Sequence, residues 1–178
     1  LDAIAEQLAG FLQALHAAPV SQAFYREIPV YETRQEYQDM YERIQKKLFS
    51  FMRPDARLWA TNHFETFLNE TGNFSRPPIL RHGDFGTSNL LFDPLNQRIT
   101  GVIDFSSAGL GDPAVDFAGL LSSYGEAFLQ RFMRFYPRLE ELMPRVHFYR
   151  GIFALEEALF GVENNDVDAF QAGIALYI

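Results

Sequence analysis

Two carboxylates and an amide stand out in the middle of the chain. Asp84 and Asn89 lie five residues apart in Arg81-His82-Gly83-Asp84-Phe85-Gly86-Thr87-Ser88-Asn89, and Asp104 follows in Val102-Ile103-Asp104-Phe105. These are hard-oxygen side chains in a sequence that has no cysteine and only scattered histidines, at 16, 63, 82 and 147, so the set suits magnesium rather than zinc. Magnesium commonly arrives with phosphates. The spacing His-x-Asp-x-x-x-x-Asn is the one phosphoryl transfer uses, in which one carboxylate positions an acceptor hydroxyl while the Asn and a second Asp hold metal.

Such residues need elements to position them, and the surrounding pattern is mostly helical. Leu1, Ile4, Leu8, Phe11, Leu12 and Leu15 recur at helical spacing up to Pro19. Thr33-Arg34-Gln35-Glu36 reads as a capping box ahead of Met40, Tyr41, Ile44, Leu48 and Phe51, with a stop at Arg53-Pro54. A third helix is expected with Asp55 as its cap, Leu58, Trp59, Phe67 and Leu68 as its apolar members, and Thr71-Gly72-Asn73 as its end. After Pro77-Pro78 the character changes. Leu90-Leu91-Phe92 and the β-branched run from Arg98 to Phe105 read as a hairpin about the turn residues Asp93 to Gln97, followed by loop from Ser106 to Gly111. The hairpin thus carries Asp84 and Asn89 before its first strand and Asp104 at the end of its second. Asp112 reads as the N-cap of the next helix with Pro113 at its first position, and the remainder as helices broken near Gly125, Pro137, Pro144 and Asn164-Asn165. The expected fold class is mostly α with a small β-hairpin, an α+β unit spanning residues 1–178.

The formal net charge of −8 argues against a nucleic-acid partner, because phosphate backbones are neutralised by basic patches. No uncharged apolar stretch reaches eighteen residues and no secretory leader is visible, so no membrane partner is expected, and the lack of cysteine fits the cytoplasm. The chain opens on Leu1, already inside a helical pattern, and reads as part of a longer protein.

Three motifs in order carry a resemblance: His82-Gly83-Asp84 with Asn89, Val102-Ile103-Asp104-Phe105, and Gly111-Asp112-Pro113-Ala114-Val115-Asp116-Phe117-Ala118. Together they resemble the C-terminal lobe of the aminoglycoside phosphotransferase family, relatives of protein kinases, and Gln7 to Pro19 is similar to that lobe's first helix. The resemblance covers essentially the whole chain. It implies a protein-kinase-like large lobe, ATP or GTP with Mg2+ as cofactors, and transfer of the γ-phosphate to the hydroxyl of a small molecule such as an aminoglycoside. By the same resemblance Asp84 is the catalytic carboxylate, Asn89 and Asp104 hold metal, and His82 and Asp116 support the loop. Leu91 and Ile103 would floor the adenine site, or serve simply as hairpin core.

The family's other half is expected to be missing. Its small N-terminal lobe supplies a strand lysine, whereas the only lysines here, Lys46 and Lys47, sit together in a helical pattern. The isolated lobe is therefore expected to be inactive, and its bared apolar face is expected to meet the missing lobe or a second copy. A non-catalytic binding or regulatory module is the alternative. For the acceptor, Glu156, Glu157 and Asp168 are candidate contacts among the C-terminal acids that also include Glu163 and Asp166, although solvated helix faces carry such acids too. The aromatic and acidic stretch from Tyr25 to Tyr41 could equally serve a macrolide, a choline-like cation or a sugar. Gly109-Leu110-Gly111-Asp112-Pro113-Ala114 also matches G-x-G-x-x-A, but Asp112 would repel a pyrophosphate and Pro113 lacks a donor.

Overall fold

In a computed structural model the described residues are 1–19 and 27–178. They form two compact units, Leu1–Tyr31 with Pro77–Arg150 and Glu32–Arg76 with Gly151–Ile178. The fold is mostly helical with a small β part, as the periodicity implies. Of the stretch from Tyr25 to Tyr41, residues 25 and 26 lie outside the described residues.

The first unit opens with α1 (Asp2–His16), whose Ala5, Leu8, Ala9, Leu12 and His16 form a buried stripe at three- and four-residue steps. That helix packs on β1 (Ile79–Arg81), on β3 (Arg98–Val102) and on α5 (Glu126–Phe132). Strand β2 (Leu90–Asp93) pairs antiparallel with β3, Leu90 opposite Val102 and Asp93 opposite Arg98, with an irregularity between Leu91 and Phe92. The turn between them is closed by Asp93 Oδ1, which accepts from the N–H groups of Leu95 and Asn96.

A second two-stranded sheet departs from the sequence expectation, since Gly109–Gly111, read as loop, is strand β4 and pairs with β1. Three residues reading Gly-Leu-Gly carry no period of two. Their strand character comes from distant partners, with Leu80 opposite Leu110 and the Leu110 N–H donating to Pro29 O at 2.9 Å. After β4, α4 (Ala114–Tyr124) starts where Asp112 Oδ1 accepts from Ala114 N, and it stops at Gly125 in a left-handed conformation with φ +77. Gly119 lets the 82–89 loop lie directly on α4, because a Cβ there would sit 2.7 Å from the Phe85 carbonyl oxygen.

The second unit contains α2 (Arg34–Lys47), α3 (Pro54–Asn69) and α7 (Val167–Ile174), and shares α6 (Leu139–Asn164) with the first. The capping box before α2 is present in both directions, Thr33 Oγ1 accepting from Glu36 N and Glu36 accepting from Thr33 N. Three expectations are corrected. Asp55 does not cap α3: Arg53 is the N-cap with Pro54 at the first position, and the Asp55 carboxylate accepts from the Arg53 guanidinium. Of the expected apolar members of α3, Phe67 and Leu68 are buried beside Phe64, whereas Leu58 and Trp59 are exposed and the buried positions of the first turns are taken by Ala56 and Ala60. Pro144 does not break α6, whose first turns are held by buried Leu139, Leu142, Arg145 and Val146 on either side of it. No helix among the described residues is long and apolar enough to cross a membrane.

Thr33→Ala should lower stability by about 1 kcal/mol, read as a shifted denaturant midpoint with unchanged slope. Gly119→Ala should cost roughly 1–3 kcal/mol by overpacking against Phe85, and its largest amide chemical-shift changes should fall in residues 82–89.

Candidate active site

The loop after β1 turns on Gly83, whose φ of +85 is in the left-handed region and whose missing Cβ leaves room for the Arg81 side chain and the Ser107 carbonyl. Phe85 then anchors the loop. It is fully buried and stacks on Phe11 with ring centroids 5.6 Å apart, which leaves its neighbour Asp84 exposed. A short 3-10 turn, Thr87–Asn89, brings the chain back so that Asn89 Nδ2 donates to both the carbonyl oxygen and Oδ2 of Asp84, each at 2.8 Å. With its amide nitrogen so committed, Asn89 keeps Oδ1 as an acceptor.

Asp104 arrives from the other strand. The Ile103 N–H donates to Asn89 O at 3.0 Å, continuing the hairpin ladder one pair beyond Leu90 and Val102, so Asp104 emerges next to the Asp84–Asn89 pair in the chain of bonds. Its backbone has φ +59, a left-handed conformation that Asp tolerates better than most residues. Asp104 Oδ1 accepts from Ser106 Oγ at 2.6 Å and Ser106 N at 3.2 Å, and these bonds hold its carboxyl below the usual carboxylate range. Oδ2 takes part in neither bond. The donor set fits magnesium: an ionised carboxylate and a neutral amide oxygen, both hard. Among the described residues no three His, Asp or Glu side chains gather into a larger metal-holding group. Two side chains with phosphate and water completing the shell is the usual way this ion is held.

His82 is buried between these segments. Its Nδ1 accepts from Asp84 N at 3.3 Å, which leaves the proton on Nε2 to reach Ile103 O at 3.1 Å. Both nitrogens are occupied by backbone, so the ring acts as a strut between the two segments that carry the oxygen set and has no free nitrogen for an acceptor. Behind it Asp116 of α4, with no exposure, accepts from His82 N at 3.0 Å and Gly83 N at 2.7 Å. Leu91 and Ile103 are about half exposed, and the register places them on the same face of the hairpin as Asn89 and Gly101.

Of the C-terminal acids, Glu163 accepts from Arg43 and Lys47, and Asp166 caps α7 through Ala169 N. Glu157 and Asp168 are exposed. Glu156 is half-buried, and burial followed by the charge of Glu32 pushes its carboxyl up to about 7. The dinucleotide-like glycines form β4, and Asp112 beyond them accepts from Arg145 and from the Tyr149 hydroxyl. Arg145, Tyr149 and His16, which touches Asp116, are not singled out by the sequence. For His16 a signal exists, since it falls four residues after Leu12 on the apolar stripe of α1, where a polar ring must find a partner.

The family described as "Phosphotransferase enzyme family" matches residues 1–149. Viomycin phosphotransferase of Streptomyces vinaceus is 28% identical over 179 residues, a match covering 99% of this chain and 61% of that protein. Aminoglycoside 3'-phosphotransferase of Escherichia coli is 28% identical over 123 residues, 69% of this chain and 44% of the relative. Among solved structures, the GDP and kanamycin complex of APH(2")-IIia superposes with a TM-score of 0.89 at 28% identity, covering 98% of this chain and 60% of that one. Macrolide 2'-phosphotransferase type I shares the fold, with a TM-score of 0.81 at 24% identity, covering 98% of this chain and 58% of that one. This chain therefore spans about three fifths, or less, of the proteins it matches, and by its sequence and its fold it belongs to the phosphotransferase enzyme family.

Proposed function

We propose that the protein containing this chain transfers the γ-phosphoryl group of ATP or GTP to a hydroxyl of a small-molecule antibiotic, an aminoglycoside or a relative of one. The observation that carries this reading is the joint placement of Asp84, Asn89 and Asp104, two of them hydrogen-bonded directly and the third delivered by the Ile103–Asn89 backbone bond. Residues 1–178 are then the large lobe, and a further part of the protein supplies the lobe that closes over the phosphates. The half-exposed Leu91 and Ile103 lie on the Asn89 face, where an adenine or guanine ring would rest. The cytoplasm, where nucleoside triphosphates are abundant, is the compartment that suits this chemistry.

In the transfer, the acceptor oxygen forms a bond to the γ-phosphorus as the bond to the β–γ bridging oxygen breaks, and the nucleoside diphosphate leaves. Asp84 orients the acceptor hydroxyl and takes its proton late, while Asn89 Nδ2 fixes the carboxylate through Oδ2. Asn89 Oδ1 and Asp104 would hold Mg2+, which when bound neutralises charge on the phosphate oxygens. His82 holds the peptide of Asp84 against that of Ile103, so the carboxylate and the metal side chains keep their separation. Glu156, Glu157 and Asp168 are proposed contacts for a cationic acceptor, a class represented among the relatives.

Asp84→Ala in the complete protein should lower kcat by roughly 10^2 to 10^4. Its thermal midpoint should barely move, because the side chain is exposed; undiminished turnover would remove Asp84 from its role. Glu156 gives a pH test with a definite sign. Its folded carboxyl titrates near 7 against an ordinary 4.5, so it is neutral in mildly acid solution and charged above neutrality. Stability from this group is full below about pH 4.5 and is lost as pH rises through 7, whereas affinity for a cationic antibiotic rises over the upper part of that range. Glu156→Gln should flatten both trends, measured by thermal melts and by acceptor titration between about pH 5.5 and 8.

A further inference from the structure

Arg81, the residue before the His82 strut, is a charged side chain with 3% exposure that the transfer chemistry leaves unused. It lies on β1 opposite Gly109 of β4. Its guanidinium carbon stands 4.4 Å from the centre of the Tyr31 ring, and Nη1 donates to the carbonyl oxygen of Ser107. Two glycines make the room: a Cβ on Gly83 would collide with the guanidinium, and one on Gly109 would come within 2.5 Å of the Tyr31 ring. Tyr31 is itself fixed, its N–H donating to Leu110 O at 2.9 Å. One buried group thus touches Gly83, the neighbour of Asp84, and Ser107, three residues after Asp104.

We propose that Arg81, held flat against Tyr31, is a positioning residue for the magnesium side of the site, acting through Ser107 and Ser106 to set the carboxylate of Asp104. This rests on the phosphoryl-transfer reading above. The physical argument begins with exposure. Asp104, Phe105 and Ser106 are all exposed, and both bonds that orient Asp104 Oδ1 come from Ser106, so that clasp is no firmer than Ser106 itself. The bond from Ala108 N to Phe105 O closes the turn on itself and moves with it. On the entry side the turn is tied down by the Ile103 N–H on Asn89 O and by the Phe105 ring against His82. On the exit side Arg81 ties down Ser107, one residue past the clasp. A charged donor makes a stronger bond to a carbonyl than a neutral one, and a planar guanidinium stacked on a ring can deliver it in only one direction. Without that tie, Ser106 is free to rotate and the torsion of Asp104 broadens with it.

The test uses the complete protein with Arg81→Met, Tyr31→Leu and Tyr31→Phe. Amide hydrogen exchange is followed without nucleotide or magnesium at Ser106 and Ala108, the two N–H groups bonded inside the turn. It should accelerate in Arg81→Met and Tyr31→Leu and keep the unsubstituted rate in Tyr31→Phe, which retains the ring. In turnover, the magnesium concentration for half-maximal rate should rise on the order of 10- to 100-fold in the first two variants, as loss of a group behind a metal ligand does, with KM for the acceptor unchanged. Ser106→Ala should raise it in the same range and add little to Arg81→Met, because both act through one contact. Unchanged exchange in Arg81→Met and Tyr31→Leu would overturn the proposal. So would an unmoved magnesium requirement accompanied by a lowered thermal midpoint, which would make Arg81 an ordinary core residue. Faster exchange in a protein that transfers no phosphate even when unsubstituted would uphold the anchoring and refute the phosphoryl-transfer reading alone. Should Arg81→Met fail to fold, the contrast between Tyr31→Leu and Tyr31→Phe decides the question by itself.

Discussion

A carboxylate withdrawn from water persists as an anion only where donors surround it, and in this protein the donors that surround Asp116 include the backbone of the loop that carries Asp84. Burial of that one group converts a flexible glycine-bearing loop into a fixed one, because releasing either peptide would leave charge unsatisfied in the interior. The remaining loop contacts act in the same direction. Phe85 is inserted against Phe11, Thr87 N donates to Ser123 Oγ on α4, and Gly119 lets the loop backbone touch the helix. Helix α4 is therefore the floor of the site. Its own start is fixed by Asp112, whose carboxylate both caps Ala114 and accepts from Arg145 and Tyr149.

From that floor the geometry of the oxygen set follows. His82 links the Asp84 peptide to the Ile103 carbonyl, and the Ile103 N–H returns to the Asn89 carbonyl, so loop and hairpin are stitched at two points. The left-handed turn at Asp104, stabilised by its bonds to Ser106, ends the strand and presents an ionised carboxylate just past its last pair. The side chains proposed to meet phosphate and metal are accordingly set by backbone contacts rather than by their own packing, which lets Asp84 be exposed and still be positioned.

Much of this is legible in the residues. Loop chemistry imposes local spacing, so Asp84, Asn89 and the hairpin that leads to Asp104 can be read from local pattern alone, as can the Thr33 capping box and the stop after α1. What escapes depends on partners far along the chain. Strand β4 has no pattern of its own and exists through β1 and Pro29. In the first turns of α3 the buried positions belong to alanines 56 and 60, whose small size makes them weak signals beside the exposed Leu58 and Trp59, and Pro144 is tolerated because buried neighbours hold its helix. His16 lies a hundred residues from Asp116, and no local rule joins them. The acids near the C-terminus are the least legible, since Glu163 and Asp166 serve an ion pair and a helix cap while Glu156 is set apart only by its burial.

The proposed function turns on whether the Asp84–Asn89–Asp104 arrangement transfers the γ-phosphate of a nucleotide to an antibiotic hydroxyl. Phosphorus NMR can decide this on the complete protein with ATP or GTP, magnesium and a panel of aminoglycoside, peptide and macrolide antibiotics. A new phosphomonoester resonance is expected on at least one antibiotic, growing in step with nucleoside diphosphate and dependent on magnesium. Nucleotide left intact with every hydroxyl-bearing acceptor, or hydrolysed to inorganic phosphate alone, would contradict that role.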